Sequence, residues 1–189
     1  MHIQQFVMAY GVEQDRLRAL LPEGFTSLRP VLRVNAEIRD GRSGYVEFNT
    51  AAEKDGLRGW LNIGFRTDVP FTQSGKTTTF RTDLLEIRFT GVGVAGSCPA
   101  EKDNAGCFFL TPKETLRAPE QITANKEFCD CTFRWLLPEG AHGVSIGKTL
   151  PAYPTEIQHV YPKEPLTVEN AARIPCQQVL GTYTVEFQR

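Results

Sequence analysis

Two Asp-Gly pairs, Asp40-Gly41 and Asp55-Gly56, divide the chain from 31 to 66 into three short runs: VLRVNAEI, YVEFNTAA and LRGWLNIGFR. Each run is about strand length and rich in β-branched and aromatic residues. A tight hairpin turn needs backbone with φ above zero at its central positions, which Asp-Gly supplies at little steric cost. The segment therefore reads as a three-stranded meander, 31–38, 45–52 and 57–66. Once three consecutive strands are set antiparallel, the rest of the chain must add to that sheet or cover it.

Most of the remaining chain adds to it. Residues 3–10 (IQQFVMAY) read as a first strand, and 13–21 as a short amphipathic helix with Leu17, Leu20 and Leu21 on one face, stopped by Pro22 and Gly24. Residues 77–90 read as one long strand, with Leu85, Ile87 and Phe89 on one face and Glu86 and Arg88 on the other. Gly91-Val92-Gly93-Val94-Ala95-Gly96 leads into no helical pattern, so it reads as a bulge or tight bend rather than a nucleotide loop. Residues 98–106 read as a loop, 107–110 as a short strand, 128–136 as a strand, 141–165 as surface chain with short strands, and 177–187 as a closing strand. RALLPEG at 18–24 and RWLLPEG at 134–140 share stop chemistry but not flanks, and are not a repeat. The expectation is a single, mainly β domain over 1–189: a barrel-like or cone-like antiparallel sheet with short helices, since closure removes exposed edges.

Composition excludes more than it selects. With 189 residues, 41% hydrophobic, 23% charged and a net charge of -1, nothing attracts the chain as a whole to nucleic acid or an anionic membrane. No apolar run approaches the roughly 18 residues of a membrane span. MHIQQFVMAYGV lacks the basic start and apolar core of a secretion signal, and five cysteines is an odd count, so reduced thiols and a cytoplasmic location are expected. Cys129 and Cys131 share a strand face with Phe133 and Trp135 and read as core residues rather than half a metal site. His2, His142 and His159 show no metal-ligand spacing. No metal, nucleotide or other cofactor is expected. The polar candidates are Lys113, set behind an apolar run in CFFLTPKETL, and two mid-strand acids, Glu47 and Glu86. An inward-facing strand carboxylate is costly unless paired, the condition under which acids perform chemistry.

The stretch from FVMAYGVEQDRLRALLPEGF through VLRVNAEIRDGRSGYVEF resembles the acetoacetate decarboxylase-like superfamily: strand, short helix, Leu-Leu-Pro-type stop, strand, glycine turn, strand. CFFLTPKETL resembles the decarboxylase segment in which an aromatic run, a glycine and a tyrosine precede Pro-Lys-Lys-Leu. The resemblance implies Lys113 as Schiff-base nucleophile, Glu47 at an active-site glutamate position, and Asn35 where the family has a second glutamate. It also implies a homo-oligomer. A nucleophilic lysine must have its pKa depressed, and the family uses an adjacent cation; here the neighbour is Glu114, which favours the ammonium instead.

Three readings follow. The first is an oxo-acid-type metabolite-binding protein or lyase, with Lys113 as nucleophile or anion-binding cation, Glu47 and Glu86 as acid/base or orienting groups, and Arg33, Asn35, Phe48 and Trp60 as ligand contacts. The second is a non-catalytic ligand-binding barrel lined by residues such as Phe48, Trp60, Phe65 and Phe80. The third is an interaction module with a closed core.

Overall fold

The computed structural model describes residues 1–96, 104–122, 125–137, 148–152 and 156–189. Cys98, His142 and all of 141–147 lie outside these residues, as do 153–155 and the side chains of 148–152 and 156–159, among them His159.

In chain order the elements are β1 (His2–Gly11), α1 (Gln14–Leu20), β2 (Thr26–Arg39), β3 (Ser43–Lys54), β4 (Leu57–Thr67), β5 (Phe71–Ser74), β6 (Thr77–Arg81), β7 (Leu85–Gly96), β8 (Asn104–Phe109), β9 (Thr115–Arg117), β10 (Lys126–Trp135), β11 (Lys148–Ala152), β12 (Glu156–Val160), α2 (Val168–Ala172) and β13 (Gln178–Gln188). Eleven of the strands form one sheet in the order β5-β6-β7-β10-β13-β1-β2-β3-β4-β8-β9, and β11 pairs with β12. The expected meander is present. Asp40 and Gly41 have φ of 49° and 66°, and Asp55 and Gly56 have 51° and 77°, the backbone that tight hairpins demand.

Two features differ from a closed antiparallel barrel. The terminal strands β5 and β9 do not pair with each other among the described residues, and β8 runs parallel to β4. The sheet is thus mixed and open, but it curls, as wide twisted sheets do. Strands far apart in the order meet face to face: Phe6 lies 5.4 Å from both Phe80 and Phe89, Tyr10 stacks 5.3 Å from Phe133, and Phe48 lies 5.7 Å from Trp135. These aromatics, with Met8, Val34, Ala36, Ile38, Val46 and Ile87, form the main core. Cys129 belongs to it and Cys131, Phe133 and Trp135 pack against it, so the alternating face of β10 is an apolar face.

The stretch read as one strand over 77–90 is a hairpin, β6 and β7. The hydroxyl of Thr82 accepts hydrogen bonds from the backbone N–H groups of Leu84 (3.1 Å) and Leu85 (2.8 Å), building a turn without glycine or proline. Further along, Glu127 pairs with Ala95 and Cys129 with Gly91, so β7 carries the extra residues of a bulge at the glycine-rich run. Helix α1 buries Leu17 and Leu20 in the main core, while Leu21 leaves the helix in extended backbone and joins Phe25, Ala52, Leu61 and Phe108 in a second cluster. Among the described residues no helix is long and apolar enough to cross a membrane.

Candidate functional site

The site grows from the alternation of β2 and β3. Val34, Ala36 and Ile38 point to the core with Val46 and Phe48. The intervening residues point the other way, and antiparallel register sets Arg33 opposite Asn49, Asn35 opposite Glu47, and Glu37 opposite Tyr45. Two adjacent strands therefore present a polar face directly behind an apolar one. That polar face is not solvated. Asn35 is 3% exposed, Glu37 2%, Glu47 8% and Asn49 0%.

Burial of this kind requires hydrogen-bond partners for each polar atom. The Glu47 carboxylate has three side-chain donors: Asn35 Nδ2 donates to Oε1 at 2.9 Å, Asn49 Nδ2 to Oε1 at 3.2 Å, and Tyr45 Oη to Oε2 at 2.9 Å. A bulge in the β3–β4 pairing, where Phe48 faces Gly64 and Asn49 faces Asn62, brings Asn62 into the layer. Asn62 Nδ2 then donates to Asn49 Oδ1 at 3.2 Å, and the Cys107 thiol of β8 lies 3.6 Å from the same oxygen. Burial, and secondarily the Glu47 charge, raises the Tyr45 phenol above its ordinary pKa. Burial and Glu47 also push the Cys107 thiol up to about 12, against a smaller opposing pull from Arg33 and Arg117. Both groups are therefore protonated donors at neutral pH.

Two arginine arrangements flank the layer. On one side Glu37 is held by Arg39 at 2.8 Å and by Arg189 at 2.8 Å; Arg189 also pairs with Glu120, and the Arg39 guanidinium lies 3.9 Å over the Tyr45 ring. On the other side Arg33, half-buried, stacks 4.3 Å over Trp60. Its Nε is buried without a hydrogen-bond partner, and it has no carboxylate partner among the described residues. Asn35 Oδ1, on the same face of β2, is likewise buried and unpartnered.

Of the residues singled out from sequence, Glu47, Asn35, Arg33 and Trp60 lie on this face. Phe48 sits on the opposite, apolar face with Phe80. Glu86 is on β7, where it pairs with Arg81 at 3.3 Å and Arg134 at 3.1 Å rather than joining Glu47. Lys113 is exposed between β8 and β9 and makes no contact with the Glu47 layer among the described residues; the neighbouring Glu114 carboxylate pairs with Lys54 at 2.6 Å. The residue of CFFLTPKETL that reaches the layer is Cys107. Sequence reasoning missed it together with Tyr45, Asn49 and Asn62. The usable signal was the period-2 series Tyr45, Glu47, Asn49, three polar-tipped residues in one strand.

Between the layer and the core lies a narrow cavity lined by Tyr10, Phe48, Ile63 and Trp135 from the core and by Arg33 and Asn49 of the layer itself. It holds about one water. Among the described residues no group of three or more His, Cys, Asp or Glu could hold a metal ion.

No protein-family model matches the sequence, and no curated protein matches it. Solved structures do. The acetoacetate decarboxylase of Legionella pneumophila subsp. pneumophila str. Philadelphia 1 superposes with a TM-score of 0.54 at 10% identity, covering 97% of this chain and 80% of that one. An acetoacetate decarboxylase-like enzyme from Sphingomonas wittichii RW1 gives 0.55 at 11% identity, covering 98% and 87%. The enduracididine biosynthesis enzyme MppR, complexed with the condensation product of pyruvate and imidazole 4-carboxaldehyde, gives 0.53 at 11% identity, covering 98% and 84%. At such low identity the likeness is one of fold. The chain has the acetoacetate decarboxylase-like fold.

Proposed function

We propose that the chain binds a small carboxylate metabolite, noncovalently, on the polar face of β2 and β3. The observation that carries this reading is the pairing of a fully bonded buried carboxylate, Glu47, with a neighbouring cation, Arg33, that has no acidic partner among the described residues. Buried polar layers are weak sources of stability, because well-packed apolar residues in their place are often equally or more stabilising. A guanidinium held over an indole and without a counter-ion among the described residues is suited to receive a carboxylate, which it binds through a planar fork. The fold supports the same reading, since MppR of this fold was solved with a pyruvate-derived molecule.

Lyase activity through a Schiff base on Lys113 is the alternative inherited from the sequence resemblance. An exposed lysine lacks the desolvation or neighbouring cation that generates a free amine at neutral pH. One experiment separates the two. The protein is incubated with pyruvate or acetoacetate, treated with borohydride, and examined by intact mass and peptide mapping, while ligand-observed NMR on untreated samples records reversible binding. The expected result is reversible binding lost in Arg33→Gln, with no reduced adduct. A reduced adduct mapping to Lys113, or binding indifferent to Arg33→Gln, would overturn the noncovalent reading.

A further inference from the structure

The hydrogen-bond polarity of the layer says more about its ligand than its charge does. An ionised carboxylate accepts and does not donate, so each neighbour of Glu47 must turn a donor toward it. Asn35 and Asn49 accordingly present their Nδ2 groups, at 2.9 and 3.2 Å. Once Nδ2 faces Glu47, the Oδ1 of each amide must point away. For Asn49 that oxygen is met by Asn62 Nδ2 and the Cys107 thiol. For Asn35 it is met by nothing among the described residues, although the residue is 3% exposed and the atom is buried. Two positions along the strand, Arg33 carries the complementary deficit: a buried N–H with no acceptor among the described residues. Residues i and i+2 of a strand lie on one face, roughly 6.5 Å apart at Cα.

From this pair of unmet groups we infer that the ligand carries a hydrogen-bond donor beside its carboxylate, and that the face selects 2-hydroxy acids over the corresponding 2-oxo acids. The carboxylate meets the Arg33 guanidinium over Trp60, a cation with no acidic partner among the described residues, and the hydroxyl donates to Asn35 Oδ1. A 2-oxo acid satisfies Arg33 but sets a carbonyl oxygen against the amide oxygen, leaving that acceptor unpaired. The solvent side of the layer is formed by its half-buried members, Arg33 and Cys107. Cys107 takes no part in the discrimination, because its bond is directed at Asn49. The inference rests on the polar face being the ligand site.

The test is calorimetric titration of matched pairs, lactate against pyruvate and 2-hydroxybutyrate against 2-oxobutyrate, into the wild type, Glu47→Gln and Arg33→Gln, with a thermal melt of each variant as a fold control. An unpaired buried acceptor corresponds to about 10–100-fold in affinity, so hydroxy acids are expected to bind tighter by that factor. Glu47→Gln keeps the shape of the side chain but can donate as well as accept. It frees the Asn35 amide to flip, and the preference collapses while binding persists. Arg33→Gln weakens both members of a pair alike. Equal or tighter binding of the oxo acids to the wild type, sensitive to Arg33→Gln, would sink the selectivity and leave the ligand site standing. Absence of binding by any of the four acids at millimolar concentration would sink both.

Discussion

The two faces of β2 and β3 are built from alternating residues of the same strands and are about equally buried, yet they obey different rules. On the core face, Val34, Ala36, Ile38, Val46 and Phe48 each gain by leaving water, and any apolar residue of similar volume would gain nearly as much. On the other, Asn35, Glu37, Glu47 and Asn49 lose by leaving water and recover the loss only through specific partners. Burial without a solvation gain cannot be accounted for by stability alone. That contrast motivates placing the ligand on the polar face; the cavity between that face and the core, which Arg33 and Asn49 also line, has room for only about one water.

Mutation should separate the faces by stability against binding. The largest stability effect is expected at Phe48, 4% exposed and packed against Trp135. Phe48→Ala should lower the unfolding free energy by about 3–5 kcal/mol in urea denaturation, with the hydroxy-acid preference unchanged at temperatures where the variant is folded. Glu47→Gln, on the other face, should cost less, about 1–3 kcal/mol, because one donor is turned toward another in a buried layer. Its chief effect should be on selectivity. If Phe48→Ala removed selectivity while Glu47→Gln spared it, the division of labour between the faces would be wrong.

How much of this was legible depended on whether a feature was local. The hairpins at Asp40-Gly41 and Asp55-Gly56 were, because the backbone they require is φ above zero, which few residue pairs adopt easily. The bulge at Gly91–Gly96 was legible for a similar reason. The β6–β7 hairpin was not: its turn is made by the Thr82 hydroxyl, and Thr82-Asp83 inside an apolar-rich run does not look like a break. Nor was the parallel β4–β8 pairing, which joins residues far apart in sequence, such as Trp60 and Cys107. The site followed the same division. Glu47 and Asn35 could be named from alternation and resemblance. Asn49, Asn62 and Cys107 could not, because they meet only through a bulge and a cross-strand register. The lysine segment was read as opening with a short strand over 107–110, and a strand does run from Asn104 to Phe109, but its residue in the layer is the one that opens CFFLTPKETL, not the lysine that drew attention.

The smallest effect expected calibrates the other two. Arg66 and Asp83 form a bidentate pair, Nε to Oδ1 at 2.8 Å and Nη2 to Oδ2 at 3.1 Å, outside the Glu47 layer on the Val46 side of the sheet and with the Asp83 side chain 60% exposed. The Arg66 hydrogen bond holds the Asp83 carboxyl below its usual pKa. A carboxyl depressed in the folded state stabilises the fold in full above its unfolded pKa, about 4, and that contribution is lost as the pH falls through the lower folded value. Asp83→Asn should therefore cost less than about 1 kcal/mol at neutral pH, for an exposed pair screened by water and salt. The difference from wild type should shrink below pH 4 and also in high salt. Denaturation curves at pH 7 and pH 3 measure it directly. A loss at pH 7 as large as that of Glu47→Gln would mean that a solvated ion pair matters as much as the buried carboxylate, and burial could no longer explain why the polar face is special.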